Sequence, residues 1–209
     1  MNRSKGKPRP YTSSLRAEAA DETRARILSS AKDLFSQRGI DAVTIAEIAG
    51  KSGVAGSTVY AIFKSKEGIL RNLMEQSLFG GGFQSAQQLL SGISDPVEMI
   101  ALTSHVARAI YSSESSDLGL LRSASGFSPA LRKIEQEFEQ TRYEMQKERL
   151  QRLFAAGRAR KDISFDEARR IMCMYTSREV YRMLVTEGGW TSDRYQEWLS
   201  QTLVAALVD

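Results

Sequence analysis

The sequence predicts an all-α protein, and three observations carry that prediction. Apolar residues recur at spacings of three and four along one segment after another, several segments open on helix-start signatures, and only four prolines interrupt 209 residues. The expected layout is a three-helix N-terminal unit over residues 21–66, then a larger helical domain over 67–209, about nine helices in all. With 42% hydrophobic and 26% charged residues, the chain can enclose a sizeable core as one or two domains. No stretch approaches the ~20 consecutive apolar residues of a membrane span, and the basic N-terminus leads into no apolar segment. A cytoplasmic protein with no membrane partner is expected. One cysteine, Cys173, allows no intrachain disulfide and reads as a small core residue, and a single histidine provides no zinc-type cluster, so neither metal nor cofactor is expected.

The chain opens on a basic arm, residues 1–20. Arg3, Lys5, Lys7, Arg9 and Arg16 stand there, with no acid among the first sixteen residues, and Pro8 and Pro10 punctuate the run. Such an arm is expected to be disordered alone; it either follows DNA phosphates and the minor groove or is a solvated tail. Asp21 then caps a first helix. Its buried face is Ile27, Leu28, Ala31, Leu34 and Phe35, and Arg38-Gly39 closes it with a cation and a glycine.

The segment from Thr44 to Phe63 carries the functional signal. Thr44 and Glu47 stand at capping-box spacing, Ile45, Ile48 and Ala49 share one face, and Gly53 sits where the chain must turn through positive φ. A second short helix runs from about Ala55 to Ala61 with Val59 and Phe63 turned toward the first, leaving Gly56, Ser57, Thr58 and Tyr60 to point elsewhere. Two helices joined by a short glycine turn have helix-turn-helix geometry, in which the second helix enters a major groove. On spacing alone an ordinary helical corner fits equally well. Arg24, Lys51, Lys64 and Lys66 flank the motif at positions suited to phosphates, and Thr44 stands at a helix N-terminus, whose free amides favour an anion. Ser65 caps the following helix, with Ile69, Leu70, Leu73 and Met74 on its apolar face.

The ordered set Ala25-Arg26-Ile27-Leu28, Leu34-Phe35, Gly39, Thr44-Ile45, Ile48-Ala49, Ser52-Gly53-Val54, Thr58-Val59-Tyr60, Phe63, Ser65-Lys66-Glu67 and Leu70 resembles the DNA-binding domain of tetracycline-repressor (TetR-type) transcriptional regulators. The resemblance covers roughly residues 21 to 74. It implies an all-helical C-terminal domain, a four-helix bundle formed by the last two helices with those of a second copy, and a small effector held among the C-terminal helices. One departure falls on the reading helix: the family opens it on a Ser or Thr cap, a polar or basic residue and then Gly, where this chain has Ala55, Gly56 and Ser57. An Ala cap forfeits ~1 kcal/mol. If Gly56 or Ser57 serves as the cap instead, the residues facing the bases shift.

Downstream, Gly80-Gly81-Gly82 predicts a break, because each glycine costs roughly 1 kcal/mol in a helix interior; it is either a plain loop or a hinge. Asp95-Pro96-Val97-Glu98 combines a cap, an N1 proline and a capping-box Glu, and opens a helix to about Tyr111. A polar stretch, Ser112 to Asp117, and a short helical piece around Leu118 to Ser123 follow. Ser128-Pro129 starts a long helix to Gly157 with Leu131, Ile134, Phe138, Met145, Leu150, Leu153 and Phe154 on its apolar side; its dense charge reads as a solvated face. Ser164 and Glu167 head a helix from Phe165 to about Glu187, and the last helix runs from about Ser192 to Val208.

These last two helices present more apolar surface than one small domain needs. Met172, Tyr175, Met183, Tyr195, Trp198, Leu199 and Leu203 are the candidate contacts of a homodimer, which the resemblance also implies; twofold symmetry would set two reading helices one DNA turn, ~34 Å, apart. For the effector that the resemblance implies, Phe79, Phe83, Met99, His105, Phe127, Phe138, Tyr143 and Tyr175 are the inward candidates, although such residues at helical spacing also serve as plain core. The expected function is that of a DNA-binding transcriptional regulator, a homodimeric repressor released from a pseudo-palindromic operator by a small, mostly apolar effector. Gly56, Ser57, Thr58 and Tyr60 are the candidates for bases or adjacent phosphates, and Thr44, Lys64 and Lys66 for phosphates alone. A regulator controlled by a protein partner, or having no effector, fits the same residues. A small helical enzyme does not: the sequence offers no Ser/His/Asp set, and Gly80 to Gly82 lacks the Lys-Ser/Thr of a P-loop.

Overall fold

The computed structural model describes residues 11–112 and 128–209. The arm through Pro10, the stretch after Ser112, the helical piece around Leu118 to Ser123 and the candidate Phe127 lie outside the described residues. Within them every regular element is a helix, apart from an isolated bridge between Ala159 and Val208. No helix there is long and apolar enough to cross a membrane.

Helix α1 (Tyr11–Arg38) begins well before Asp21, which reassigns residues 11–20 from the expected arm to a helix. Residues 15–22 are exposed, so no apolar periodicity could report them; Arg16-Ala17-Glu18-Ala19-Ala20 forms helix on intrinsic propensity instead. The next elements follow the sequence reading: α2 (Ile45–Ser52), α3 (Gly56–Phe63) and α4 (Lys66–Leu78). Thr44 and Glu47 close the capping box, and Gly53 turns the chain at φ 67°. Ile27, Phe35, Ile40, Ile48, Val59, Ile69 and Leu70 are fully enclosed where the four helices meet.

The second domain comprises α5 (Gly81–Ser91), α6 (Pro96–Ala101), α7 (Thr103–Ser112), α8 (Pro129–Met145), α9 (Lys147–Ala155), α10 (Phe165–Tyr175), α11 (Arg178–Tyr181) with a π-helix over Arg182–Glu187, and α12 (Ser192–Leu207). Asp95 caps α6 by accepting from the amides of Val97 and Glu98. The expected break at the glycines is short: Gly80 is the N-cap of α5, and Gly81 and Gly82 lie in its first turn. A Cβ on Gly80 would sit 2.5 Å from the Gln76 carbonyl oxygen, which explains the glycine there. The long helices expected to Tyr111 and to Gly157 each divide at one residue, Leu102 and Gln146.

The expected helix from Phe165 to Glu187 breaks at Thr176-Ser177, where Ser177 becomes extended and caps α11 by accepting from the Val180 amide at 3.3 Å. The dimer face is also corrected. Helix α12 packs against α6, α7 and α10 of its own chain, and Met172, Tyr195, Leu199 and Leu203 are wholly buried there. Side chains already enclosed in one chain cannot touch a second copy. Of the remaining candidates, Met183 is 56% exposed, while Tyr175 and Trp198 are half-buried and meet edge to face at 6.1 Å.

Candidate nucleic-acid interface and ligand cavity

Helix α3 starts where the family pattern would place it. Ala55 is its N-cap with no side-chain bond, and its carbonyl accepts from the amides of Thr58 and Val59 at 2.9 and 3.3 Å. Val59 and Phe63 turn inward, which leaves Ser57, Tyr60, Ala61 and Lys64 exposed and Gly56 and Thr58 half-buried. Tyr60 is a large aromatic ring standing 55% in solvent. Lys64 ends α3 at φ 67°, a left-handed conformation uncommon for a residue with Cβ, and its ammonium donates to the Ala61 carbonyl.

Thr44 lies at the start of α2, exposed, with its hydroxyl engaged in the capping box: it donates to Glu47 Oε2 at 2.8 Å and accepts from the Glu47 amide at 3.2 Å. The hydrogen bond from Arg38, and then those from the Thr44 amide and hydroxyl, hold the Glu47 carboxyl down to about 2. Lys66 departs from its expected role. Its ammonium donates to the carbonyls of Val43 (2.9 Å) and Asp41 (3.4 Å), tying the start of α4 to the α1–α2 loop. Arg24 lies 5.0 Å over the Phe63 ring and donates to Asn72, and Lys51 pairs with Asp33 at 3.0 Å. The structure thus leaves a compact exposed set on α3, namely Ser57, Tyr60 and Lys64, beside Gly56, Thr58 and Thr44.

Helix α4 joins this unit to the second domain. At its N-terminus Gly68 lies against the Phe63 carbonyl with no room for a side chain. At its C-terminus Met74, Leu78 and Phe79 line a cavity of 370 Å³ closed by Ile110 and Tyr111 of α7 and by Leu131 and Phe138 of α8. Glu135, Glu139, Arg142, Arg178 and Glu179 add charge to the wall. Phe79 meets Phe83 edge to face at 4.9 Å and lies tilted against Phe138 at 5.5 Å. A second, water-sized cavity of 20 Å³ shares Phe79, Ile110 and Arg142 with the first, and is lined further by Phe83, Thr103, Gln146 and Arg149.

Of the effector candidates, then, Phe79, Phe83 and Phe138 lie on these cavities, whereas Met99, His105, Tyr143 and Tyr175 line neither. Met99 is buried in α6. His105 meets the Gln196 amide at 3.2 Å, between α7 and α12. Tyr143 faces an outer groove with Arg169 stacked on its ring at 3.7 Å.

Sequence reasoning missed Arg142, which lines both cavities. Its guanidinium donates to Cys173 O (3.0 Å), Thr176 O (3.3 Å) and Thr176 Oγ1 (2.7 Å), and pairs with Glu139. Tyr111 also donates to Thr176 O at 3.0 Å, and Gln146 Nε2 to Thr176 Oγ1 at 2.7 Å. This cluster satisfies the carbonyls freed where α10 ends, so the helix break is stable inside the domain. Burial works against the charge of Arg142, but Tyr111 and Glu139 outweigh it and hold the guanidinium above its ordinary value. A signal was present: Ile134, Phe138 and Arg142 fall on one helical stripe, so the arginine continues the apolar face.

Residues 27–73 match the family model of bacterial regulatory proteins, tetR family. The HTH-type transcriptional repressor KstR2 of Mycolicibacterium smegmatis is 32% identical over 91 residues, 44% of this chain and 42% of that relative, so the chain spans less than half the length of its curated relative. NalD, the secondary repressor of the MexAB-OprM multidrug efflux pump in Pseudomonas aeruginosa, superposes with a TM-score of 0.71 over 90% of this chain and 98% of its own, at 21% identity. SmeT in complex with triclosan gives 0.66 over 90% and 92%, at 18% identity. At such identities these two structures establish the shared fold. The capping box, glycine turn and reading helix all lie within the matched residues, so it is this N-terminal segment that the chain shares with bacterial regulatory proteins of the tetR family.

Proposed function

We propose that this chain is a homodimeric transcriptional repressor that grips a pseudo-palindromic operator with α3 and releases it when a small, mostly apolar effector occupies the cavity beside α4. The observation that carries this reading is the span of α4 itself. One helix presses on the reading helix through Gly68 and Phe63 at one end and forms the cavity wall through Met74, Leu78 and Phe79 at the other. A ligand that favours a different seat for Phe79 therefore favours a different position of the reading head, and its differential affinity for the two states sets the size of the response. The cavity falls within the range of small-molecule sites and sets apolar side chains of α4, α7 and α8 against a charged wall, so it offers both a body and a polar end to a ligand. SmeT, which shares the fold, holds triclosan, a small molecule. The cavity favours this reading over a regulator without an effector.

For the dimer, Met174 and Met183, each more than half exposed, with half-buried Tyr175 and Trp198, are the contacts that α10 to α12 offer a second copy. Selection from random duplexes by the full chain, followed by sedimentation of the complex, tests the proposal. A site with twofold symmetry bound by two chains is expected. Enriched duplexes without a dyad, or one chain per site, would overturn it.

A further inference from the structure

Arg149, on α9, is a buried cation whose partners are both neutral: it donates to Gln87 Oε1 on α5 at 3.0 Å and to Thr103 Oγ1 on α7 at 3.3 Å. Among the described residues no carboxylate pairs with it, and the adjacent Glu148 pairs with Arg152 on the outside. Five donors set against two neutral acceptors leave a buried charge undercompensated. Burial pulls the guanidinium down to about 10, which agrees with that geometry. A second observation stands beside it. Gln146 is equally enclosed, its Nε2 is held by Thr176, and its Oε1 has no hydrogen-bond partner. Both side chains line the small cavity, which shares Phe79, Ile110 and Arg142 with the larger one.

Resting on the effector-cavity reading above, we propose that the effector is an amphiphile with a carboxylate head, which pairs with Arg149 and Gln146 while its apolar body lies among Phe79, Leu131 and Phe138. The carboxylate accepts from the guanidinium N–H groups not used on Gln87 and Thr103. The Gln146 amide, turned over, donates Nε2 to the second oxygen, and its Oε1 accepts from the Thr176 hydroxyl once that hydroxyl swings from the Met172 carbonyl, which keeps the Thr176 amide. At 20 Å³ the small cavity holds one water-sized group, so the head enters as Phe79 gives way. Phe79 caps α4, the helix that carries the reading unit.

The test is calorimetric titration of the full chain with decanoate, decanol and decylammonium, which share a tail and differ in the head. Decanoate is expected to bind at least about tenfold more tightly than the other two. Arg149→Met should erase that preference and leave decanol unchanged, and Arg149→Lys should retain most of it. If Arg149→Met fails to fold by circular dichroism, Gln146→Leu carries the test, with weaker decanoate binding and unchanged decanol binding expected. Equal binding of all three, tightest binding of the cation, no binding of any, or decanoate binding indifferent to these variants would overturn the carboxylate head. Leu131→Trp, which fills the larger cavity, separates the two readings. Binding that it abolishes but that shows no head preference overturns the head alone; binding that it leaves untouched overturns the cavity reading as well.

Discussion

Replacing Arg142 with Met removes the donor that fastens the end of α10 to α8 while keeping most of the apolar volume of the side chain. Beside Glu139, four acceptors lose a bond: Cys173 O, Cys173 Sγ, Thr176 O and Thr176 Oγ1. Two of them keep another donor, because Tyr111 still reaches Thr176 O and Gln146 still reaches Thr176 Oγ1. The loss is then centred on the Cys173 carbonyl, which keeps a long bond from the Thr176 hydroxyl at 3.5 Å and loses one from a charged donor worth ~1.5–3 kcal/mol. The ion pair with half-exposed Glu139 adds ~0–1 kcal/mol, and relief from burying the cation offsets a similar amount. A net loss of about 2 kcal/mol follows, or ~4–8 °C in Tm for a chain of this size. Urea unfolding followed by circular dichroism measures it. Combining Arg142→Met with Thr176→Val should show a coupling of at least ~0.5 kcal/mol. Unchanged or raised stability in the single variant, or strict additivity in the double, would refute the idea that this cluster holds the helix break.

Three further outcomes are expected. The Glu47 carboxyl titrates near 2 in the fold against an ordinary 4.5, so its stabilising contribution is complete above about 4.5 and is lost as the pH falls toward 2. Acid unfolding of the wild type should show that loss and Glu47→Gln should not; superimposable Tm–pH curves would count against the capping-box account. Tyr60→Ala should change stability by less than ~0.5 kcal/mol, since the ring is largely exposed, while operator binding measured by fluorescence anisotropy falls at least about tenfold. Loss of folding would instead make Tyr60 a core residue. Gly53→Ala forces a Cβ into a left-handed conformation at φ 67° and should cost ~1–2 kcal/mol in urea unfolding; a neutral result would mean that the turn relaxes.

The helix-turn-helix was legible because its signals are local. The Thr44–Glu47 box, the Gly53 turn and the spacing of Val59 and Phe63 each depend on residues a few positions apart, and each appears in the structure as read. Features that depend on distant neighbours were less legible. Periodicity identified Met172, Tyr195, Leu199 and Leu203 as apolar, but not that α6 and α7 of the same chain would cover the last helix. The break at Thr176 is set by Arg142 from another helix, and the charge of Arg142 disguised a position on the apolar stripe. Lys66 stood beside the motif like a phosphate contact, yet two loop carbonyls lie within its reach. The early start of α1 escaped because an exposed helix has propensity but no apolar face to read.

The coupling of cavity to operator is tested most directly by titrating labelled operator with the full chain, with and without a saturating cavity ligand. The ligand is a compound that raises the Tm of the wild type but not of Leu131→Trp. Operator affinity is expected to fall at least about tenfold with the ligand bound, and operator DNA should weaken ligand binding by the same factor, as reciprocity requires. Equal operator affinity in the two titrations would contradict ligand-controlled release.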